Sequence, residues 1–165
     1  KETIDYIVKN FNVPIFLDCV STIKALKTID IIGYFHTIKP NQLEAETLSG
    51  IKITDELSLK KCAEFFINKG VKQIFISLGE KGVYYSNDKE AGLLPAFKVN
   101  IKNTTGAGDA FMAGIAYGFT HSLDIKSSCK FGIACASIAI ESSKTISDQM
   151  NLKNVNLIQE ENKWI

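Results

Sequence analysis

The chain has 165 residues, of which 45% are hydrophobic and 22% charged, and its formal net charge is +1. This length suits a single domain that buries a core without disulfides or a structural metal, and the balanced charge excludes a strongly basic nucleic-acid-binding protein. All 19 basic residues are lysines, which excludes an arginine clamp and leaves lysine, backbone amides or a metal ion to bind anions. Because the sequence starts at Lys1 rather than at methionine, we expect a processed product or a piece of a longer protein.

The cysteines and histidines are too scattered to form a structural zinc site. The four cysteines contain no C-x-x-C pair, and the two histidines lie far apart in sequence. We therefore expect buried, reduced thiols and a cytoplasmic protein. No apolar run approaches the roughly 18 residues that a membrane span requires, so we expect no membrane partner.

Apolar spacing predicts that helices and strands alternate over the first half of the chain. Helices are predicted at 2–11, 22–29, 41–48 and 55–69, and strands at 13–17, 34–38 and 73–78. Asn41, with Glu44 three residues later, forms a capping-box pattern at the start of the third helix, and Gly50 ends that helix. Strand–helix alternation favours right-handed crossovers and a parallel sheet.

The second half of the chain has a different pattern. Two strands are predicted at 82–86 and 92–101, separated by a polar turn at 87–90, and helices at 109–121, 125–143 and 154–163. Two strands joined by a short turn are typical of an antiparallel pair. The sequence therefore predicts an α/β domain with a mostly parallel sheet and an antiparallel edge.

Ligands of an open parallel sheet bind beyond the carboxyl ends of its strands, and four polar segments are predicted to lie there. They are Asp18, the corner at Lys39–Asn41, the segment Ser77–Gly82 and the segment Asn103–Asp109. Their shared location is stronger evidence for a site than any one of them alone.

The glycine-rich segment that ends at Asp109 gives the most specific chemical prediction. Gly106, Ala107 and Gly108 allow a tight turn before a helix, whose free amides and dipole can bind an anion. An aspartate here would repel an anion, but it suits a base that takes a proton from a hydroxyl during phosphoryl transfer. The alternative is that Asp109 only complements the helix dipole. The segment matches neither the P-loop nor the dinucleotide fingerprint.

Two further segments are consistent with a nucleotide site, although each also has a purely structural explanation. The segment Ser77–Gly82 follows a buried strand and would let the chain pass close to a ligand, but such a segment between strands is usually a turn. Helix capping alone explains Asn41 and Glu44. By its position, Glu44 could hold a water of Mg²⁺, and Lys39 could face phosphate oxygens.

Three motifs, in this order, resemble those of the ribokinase-like (PfkB) carbohydrate kinases. They are K-P-N-x-x-E-A-E from residue 39, L-G-x-x-G from residue 78 and N-T-T-G-A-G-D-A-F-x-A-G from residue 103. Within that family, the segments 17–25, 36–51, 76–86 and 142–161 are most similar to pseudouridine kinases. The resemblance implies a three-layer αβα sandwich of which this chain is the C-terminal half. The N-terminal half and its lid are expected to be absent, and the chain alone to be inactive.

The resemblance also implies a role for each candidate residue. Asp109 would be the base that deprotonates the acceptor hydroxyl, and the amides of Gly106, Ala107 and Gly108 would form the anion hole. The residues expected to border ATP are Asn41, Ser77, Gly79, Gly82, Thr105 and Lys39, and Glu44 is expected to organise Mg²⁺. A monovalent cation beside the loop at 103–105 is a further feature that the family allows.

The sequence leaves the acceptor open. The resemblance favours transfer from ATP to the 5′-hydroxyl of pseudouridine, with ribose, fructose or adenosine as alternative acceptors. A protein of another class, a non-catalytic nucleotide-binding domain, also fits the motifs, although such a module would not need Asp109. The expected partners are a small sugar or nucleoside and the N-terminal half of the kinase. The resemblance also allows a homodimer, and no nucleic-acid polymer is expected.

Overall fold

The computed structural model describes residues 2–19 and 21–162, which fall into two compact units. The first unit comprises residues up to 78 together with 84–92, and the second comprises 79–83 together with the residues from 93 onward. Position 163, where the sequence predicts the end of the last helix, lies outside the described residues.

The helices and strands follow one another largely as the apolar spacing predicts. The helices are α1 (Glu2–Asn10), α2 (Thr22–Leu26), α3 (Gln42–Ser49), α4 (Glu56–Asn68), α5 (Ala107–Thr120), α6 (Ile125–Ile140) and α7 (Leu152–Glu161). The strands are β1 (Phe16–Asp18), β2 (Thr37–Lys39), β3 (Gln73–Ser77), β4 (Val83–Asn87) and β5 (Ala91–Leu94). Two 3₁₀-helices are formed by Ile29–Tyr34 and Gly79–Lys81. No helix within the described residues is long and apolar enough to cross a bilayer.

The strands form one mixed sheet in the order β1-β2-β3-β4-β5. Strand β2 runs parallel to both of its neighbours, β1 and β3. The register pairs Asp18 with Lys39 and Ile38 with Ile74. The short turn between β4 and β5 is held by the Asn87 side chain, which accepts hydrogen bonds from the backbone of Lys89 and Glu90. The prediction of an α/β fold with a mixed sheet is confirmed.

The first two strands begin later than predicted. Strand pairing starts only at the Ile15 carbonyl, which accepts bonds from the backbone N–H groups of His36 and Thr37. Tyr34, predicted as the start of β2, instead ends the 3₁₀-helix. Local apolar runs do not distinguish a strand from a short buried helix, and here sheet pairing decided the boundary.

The prediction for β5 was wrong in length. The strand ends at Leu94 instead of continuing to residue 101, because Pro95 follows and cannot donate a ladder hydrogen bond. The chain from 95 to 106 is irregular, and it is joined to the end of α6 by bonds from the N–H groups of Lys102 and Asn103 to the Ile140 carbonyl.

Each unit has its own buried centre. In the first unit, Phe66 of α4 and Ile74 of β3 are fully buried, and α4 contacts β3. In the second unit, α5 and α6 approach each other through glycines. A Cβ atom at Gly114 would lie 2.6 Å from the Gly132 Cα, so a larger residue would force the two helices apart. The two helices are therefore packed closely at these glycines.

A buried carboxylate that sequence reasoning missed fixes the chain after α3. Glu46 accepts hydrogen bonds from the Gln42 side chain, the Lys52 ammonium and the Ile53 backbone. The hydrogen bond from Gln42 and that from Lys52 lower the pKa of Glu46 from its ordinary 4.5 to about 2. The ionised form is therefore favoured in the folded protein.

Substituting Glu46 with Gln is expected to flatten the acid limb of the stability curve. Because the folded-state pKa is depressed, this carboxylate stabilises the fold above pH 4.5, and its contribution is lost as the pH falls toward about 2. Urea unfolding of the wild type and of Glu46→Gln between pH 7 and pH 2 measures the difference. Glu64→Gln, which removes a carboxylate in a long, exposed pair with Lys60, is the matched control, and an equal change in that variant would contradict the assignment.

Candidate functional site

A partly buried ion pair joins the carboxyl ends of the first two strands. Lys39 ends β2 and is only 7% exposed, and Asp18 ends β1 as its register partner. The Lys39 Nζ lies 3.1 Å from the Asp18 Oδ2. The lysine charge is therefore already paired within the first unit.

The Asn41–Glu44 capping box that the sequence predicts is present at the start of α3. The Asn41 Oδ1 accepts a bond from the Glu44 N–H, and the Glu44 Oε2 accepts one from the Asn41 N–H, each at 2.9 Å. Within the described residues, no hydrogen bond is formed by the other carboxylate oxygen, Oε1. Capping therefore explains the motif structurally and still leaves one oxygen of Glu44 for another partner.

Ser77, at the end of β3, is held next to this corner. Its N–H donates to the Pro40 carbonyl at 3.0 Å, and Ser77 forms an isolated parallel bridge with Asn41. The first unit thus brings Asp18, Lys39 and the capping box to the same end of three neighbouring strands, as the sequence predicts.

Cys19 is buried directly beside these charges, with 3% of its surface exposed. Burial is the main cause that raises the pKa of its thiol to about 12, and the charges of Glu44 and Asp18 add to the effect while Lys39 opposes it. The thiol is therefore neutral at physiological pH, which agrees with the prediction of buried, reduced cysteines.

In the second unit, the glycine-rich loop leads directly into α5. The Thr105 N–H donates to the Asn103 side chain at 2.9 Å, and Gly106 has φ = +85°, a conformation that favours glycine. A Cβ atom at Gly106 would lie 2.9 Å from the Thr145 carbonyl oxygen. The loop is therefore shaped by its own hydrogen bond and by close contact with the segment before α7.

The first turn of α5 has free donors beside a free carboxylate. Within the described residues, the Gly106 and Gly108 N–H groups form no hydrogen bond, whereas the Ala107 N–H donates to the Thr104 carbonyl at a long 3.3 Å. Asp109 is exposed in this turn, and no described residue forms a hydrogen bond or ion pair with its carboxylate. The carboxylate therefore does not cap the helix, although it remains in the field of the helix dipole.

The two glycines after β3 have different surroundings. Gly82, with φ = +99°, faces the backbone of residues 94–96, and an added Cβ would lie 2.8 Å from the Ala96 nitrogen. Gly79, with φ = +62°, has no atom within 4 Å of such a Cβ. The chain itself thus occupies the space beside Gly82, and only Gly79 leaves open space for a ligand.

An apolar groove of about 640 Å³ lies within the second unit, between α5, α6 and the segment before α7. Gly106 and Asp109 line one end of this groove. The large apolar side chains Ile146 and Leu152 also line it, and they are 81% and 52% exposed. The groove also includes Cys135 and Ala139 of α6.

The site residues are thus divided between the two units. The first unit positions Asp18, Lys39, Asn41, Glu44 and Ser77, and the second positions Gly79, Gly82, Thr105 and the turn Gly106–Asp109. Asp18 and Lys39 are both candidate site residues by sequence, but their pairing was not predicted. Each residue follows directly on a predicted strand, and this shared position is the signal that could have revealed the pair.

Comparison with known proteins decides the family. The model of the pfkB family of carbohydrate kinases matches residues 2–151. The chain belongs to this family. The resemblance stated from the three motifs is therefore confirmed.

Individual relatives agree with this assignment. The pseudouridine kinase of Escherichia coli (strain K12) is 39% identical over 157 residues, which are 94% of this chain and 50% of that protein. The crystal structure of a putative sugar kinase from Clostridium perfringens superposes with a TM-score of 0.96 at 39% identity, over 99% of this chain and 52% of that one. A ribokinase from Thermotoga maritima superposes with a TM-score of 0.81 at 28% identity, over 96% and 53%. The fold is therefore ribokinase-like, and the chain spans about half the length of these relatives.

Proposed function

We propose that the protein carrying this sequence transfers the γ-phosphoryl group of ATP to a hydroxyl of a sugar or nucleoside, most specifically to the 5′-hydroxyl of pseudouridine. The observation that carries the proposal is the exposed Asp109 carboxylate, which no described residue engages, next to free amides at the start of α5. Membership in a family of carbohydrate kinases supports the interpretation of this carboxylate as a base and of these amides as an anion site.

In the proposed reaction, Asp109 accepts the proton of the acceptor hydroxyl. The hydroxyl oxygen forms a bond to the γ-phosphorus while the bond from that phosphorus to the β-phosphate oxygen breaks, and ADP leaves. The N–H groups of Gly106 and Gly108, with the α5 dipole, stabilise the charge on the transferred group. The Ala107 N–H would also donate to the transferred group if its long hydrogen bond to the Thr104 carbonyl breaks. This chain itself contributes no arginine, so within it amides and a bound metal ion would carry this task.

The residues proposed to contact ATP are Ser77 and Asn41 of the first unit and Gly79 and Thr105 of the second, whereas Gly82 shapes its own loop. Among the described residues, no group of three His, Cys, Asp or Glu side chains is placed to hold a metal. Mg²⁺ in kinases commonly needs only one or two carboxylates in addition to the phosphates and waters, so the free Oε1 of Glu44 fits this ion. The bound ion would neutralise phosphate charge. A monovalent cation beside the loop at 103–105 belongs to the same proposal.

The choice of acceptor is supported by sequence likeness. The pseudouridine kinase of E. coli matches 94% of this chain, whereas the ribokinase of Staphylococcus aureus (strain COL) is 34% identical over 68% of it. Ribose is therefore the second candidate acceptor.

The exposed apolar edge of the groove supports a role for further polypeptide. Ile146 and Leu152 would be shielded from water if the remaining half of the family's length covered them. We expect the 165-residue chain alone to bind ATP but not to turn over, because little would exclude water or fix the acceptor in line.

A panel of acceptors tests the proposed substrate. We expect the kcat/KM for pseudouridine to exceed that for ribose, fructose and adenosine by at least roughly tenfold, the margin that a few specific contacts to the base would supply. Uridine is the matched control, since it differs only in the bond between base and ribose. A higher kcat/KM for ribose than for pseudouridine would overturn the assignment of the acceptor. ATP binding without transfer to any acceptor would favour the non-catalytic alternative.

A further inference from the structure

We propose that Lys39 is a positioning residue, which acts through Asp18 to fix the Asn41–Glu44 corner, and not a phosphate contact. This inference rests on the proposed function, and it replaces the sequence-based interpretation of Lys39. All of the residues concerned lie in the first unit.

The first step is the burial of the lysine. Lys39 is 7% exposed, and its ammonium lies 3.1 Å from a carboxylate oxygen of Asp18, whose side chain is 26% exposed. A buried ammonium is strongly destabilising unless it is paired. A phosphate that approached Lys39 would therefore meet an ammonium whose charge Asp18 already neutralises.

The second step is the local excess of negative charge. Glu44 is 4% exposed. Its charge and that of Asp18 raise the pKa of the neighbouring Cys19 thiol, and the charge of Lys39 lowers it. Two carboxylates and one ammonium thus surround one buried cysteine. Removing the lysine would leave two like charges without their counter-charge, and this is more destabilising than losing the attraction of one pair.

The third step is the path of the chain on either side of this pair. Asp18 and Lys39 are register partners, so their side chains join the ends of β1 and β2. Two residues after Lys39, Asn41 caps α3, and the intervening Pro40 carbonyl accepts a bond from the Ser77 N–H. The corner that carries Asn41 and Glu44 is therefore held from the β1 side by the ion pair and from the β3 side by the Ser77 bond.

The two roles predict opposite signs for one substitution. If Lys39 were a phosphate contact, Asp18→Asn would free its charge and tighten ATP binding. If Lys39 acts through Asp18, Asp18→Asn loosens the corner, and ATP binding weakens by roughly tenfold, within the range that small displacements of positioning groups produce. The affinity for ATP is measured by titration calorimetry without acceptor, both with and without Mg²⁺.

Three further variants complete the test in the protein that carries this sequence. Lys39→Met is expected to weaken ATP binding as much as Asp18→Asn does. The double variant Asp18→Asn/Lys39→Met should weaken binding no more than either single variant. Lys39→Arg should keep most of the wild-type affinity. A role limited to stability would lower the midpoint of thermal unfolding and leave the affinity and the KM for ATP unchanged. Lys60→Met, which removes an exposed lysine of α4 paired with Glu64, is the control and should change neither the affinity nor the KM for ATP.

The outcomes separate this inference from the proposed function. Tighter binding in Asp18→Asn, additive losses in the double variant or unchanged affinity in Lys39→Met would each overturn the inference. Absence of phosphoryl transfer in the wild type would overturn the proposed function alone, because the affinity measurements do not depend on turnover. A wild type that binds no ATP would overturn both.

Discussion

Asp109→Asn is expected to reduce the kcat for phosphoryl transfer by roughly 10²–10⁴-fold, the range that a general base contributes, while the affinity for ATP stays within about twofold. The amide keeps the size and shape of the carboxylate but cannot accept the proton. Because no described residue forms a hydrogen bond or ion pair with the Asp109 carboxylate, the substitution should leave the stability of the fold nearly unchanged. Transfer is measured by coupled ADP release, and affinity by calorimetry.

The matched control for this prediction is Asp148→Asn in the same unit. Asp148 is exposed and, among the described residues, forms an ion pair only with Lys144 four residues earlier, so its loss should change neither transfer nor affinity. Turnover retained by Asp109→Asn would contradict the assignment of the base. Equal losses in both variants would point to a general effect of charge instead of to proton transfer.

Gly82→Ala is expected to lower the free energy of unfolding by about 2–3 kcal/mol, because the new methyl group would meet backbone in an already unfavourable conformation. With φ = +99°, a Cβ at this position would overlap the Leu94 carbonyl oxygen and approach the Ala96 nitrogen at 2.8 Å. Backbone atoms cannot turn away as the end of a flexible side chain can. Urea unfolding at pH 7 measures the loss.

Gly79→Ala is the comparison that gives this result its meaning. Gly79 also has a positive φ, +62°, but the space beside it is open, so we expect a smaller loss of about 1 kcal/mol. Under the proposed function, the added methyl group stands where ATP passes, and the affinity for ATP should fall although the fold is only mildly destabilised. Equal destabilisation by the two variants would contradict the role of the 94–96 backbone.

Features set by residues close in sequence were predicted correctly. The capping box joins Asn41 and Glu44, three residues apart, and its two hydrogen bonds are typical of a helix that begins with this pattern. The turn before Asp109 was equally predictable, because Gly106 favours the left-handed conformation that the structure has there. Family membership followed from these same local motifs.

Features that depend on distant residues were not predicted. The late starts of β1 and β2 were set by pairing between Ile15 and the segment His36–Thr37, and no periodicity within either segment encodes that partner. In the same way, no pattern near Gly82 indicates that the backbone after β5 takes the space beside this glycine. Apolar spacing records which face of a segment is buried, but not what it is buried against.

The sequence by itself determined the α/β class, the capping box and the glycine-rich turn before α5, and it named Asp109 as the candidate base, because each rests on patterns within a few residues along the chain. Tertiary structure decided the pairing of Lys39. Asp18 and Lys39 are 21 residues apart, and only the parallel register of β1 and β2 makes them partners, while burial turns their attraction into a fixed pair. A lysine that looks like a free anion ligand in the sequence is therefore already paired in the folded protein.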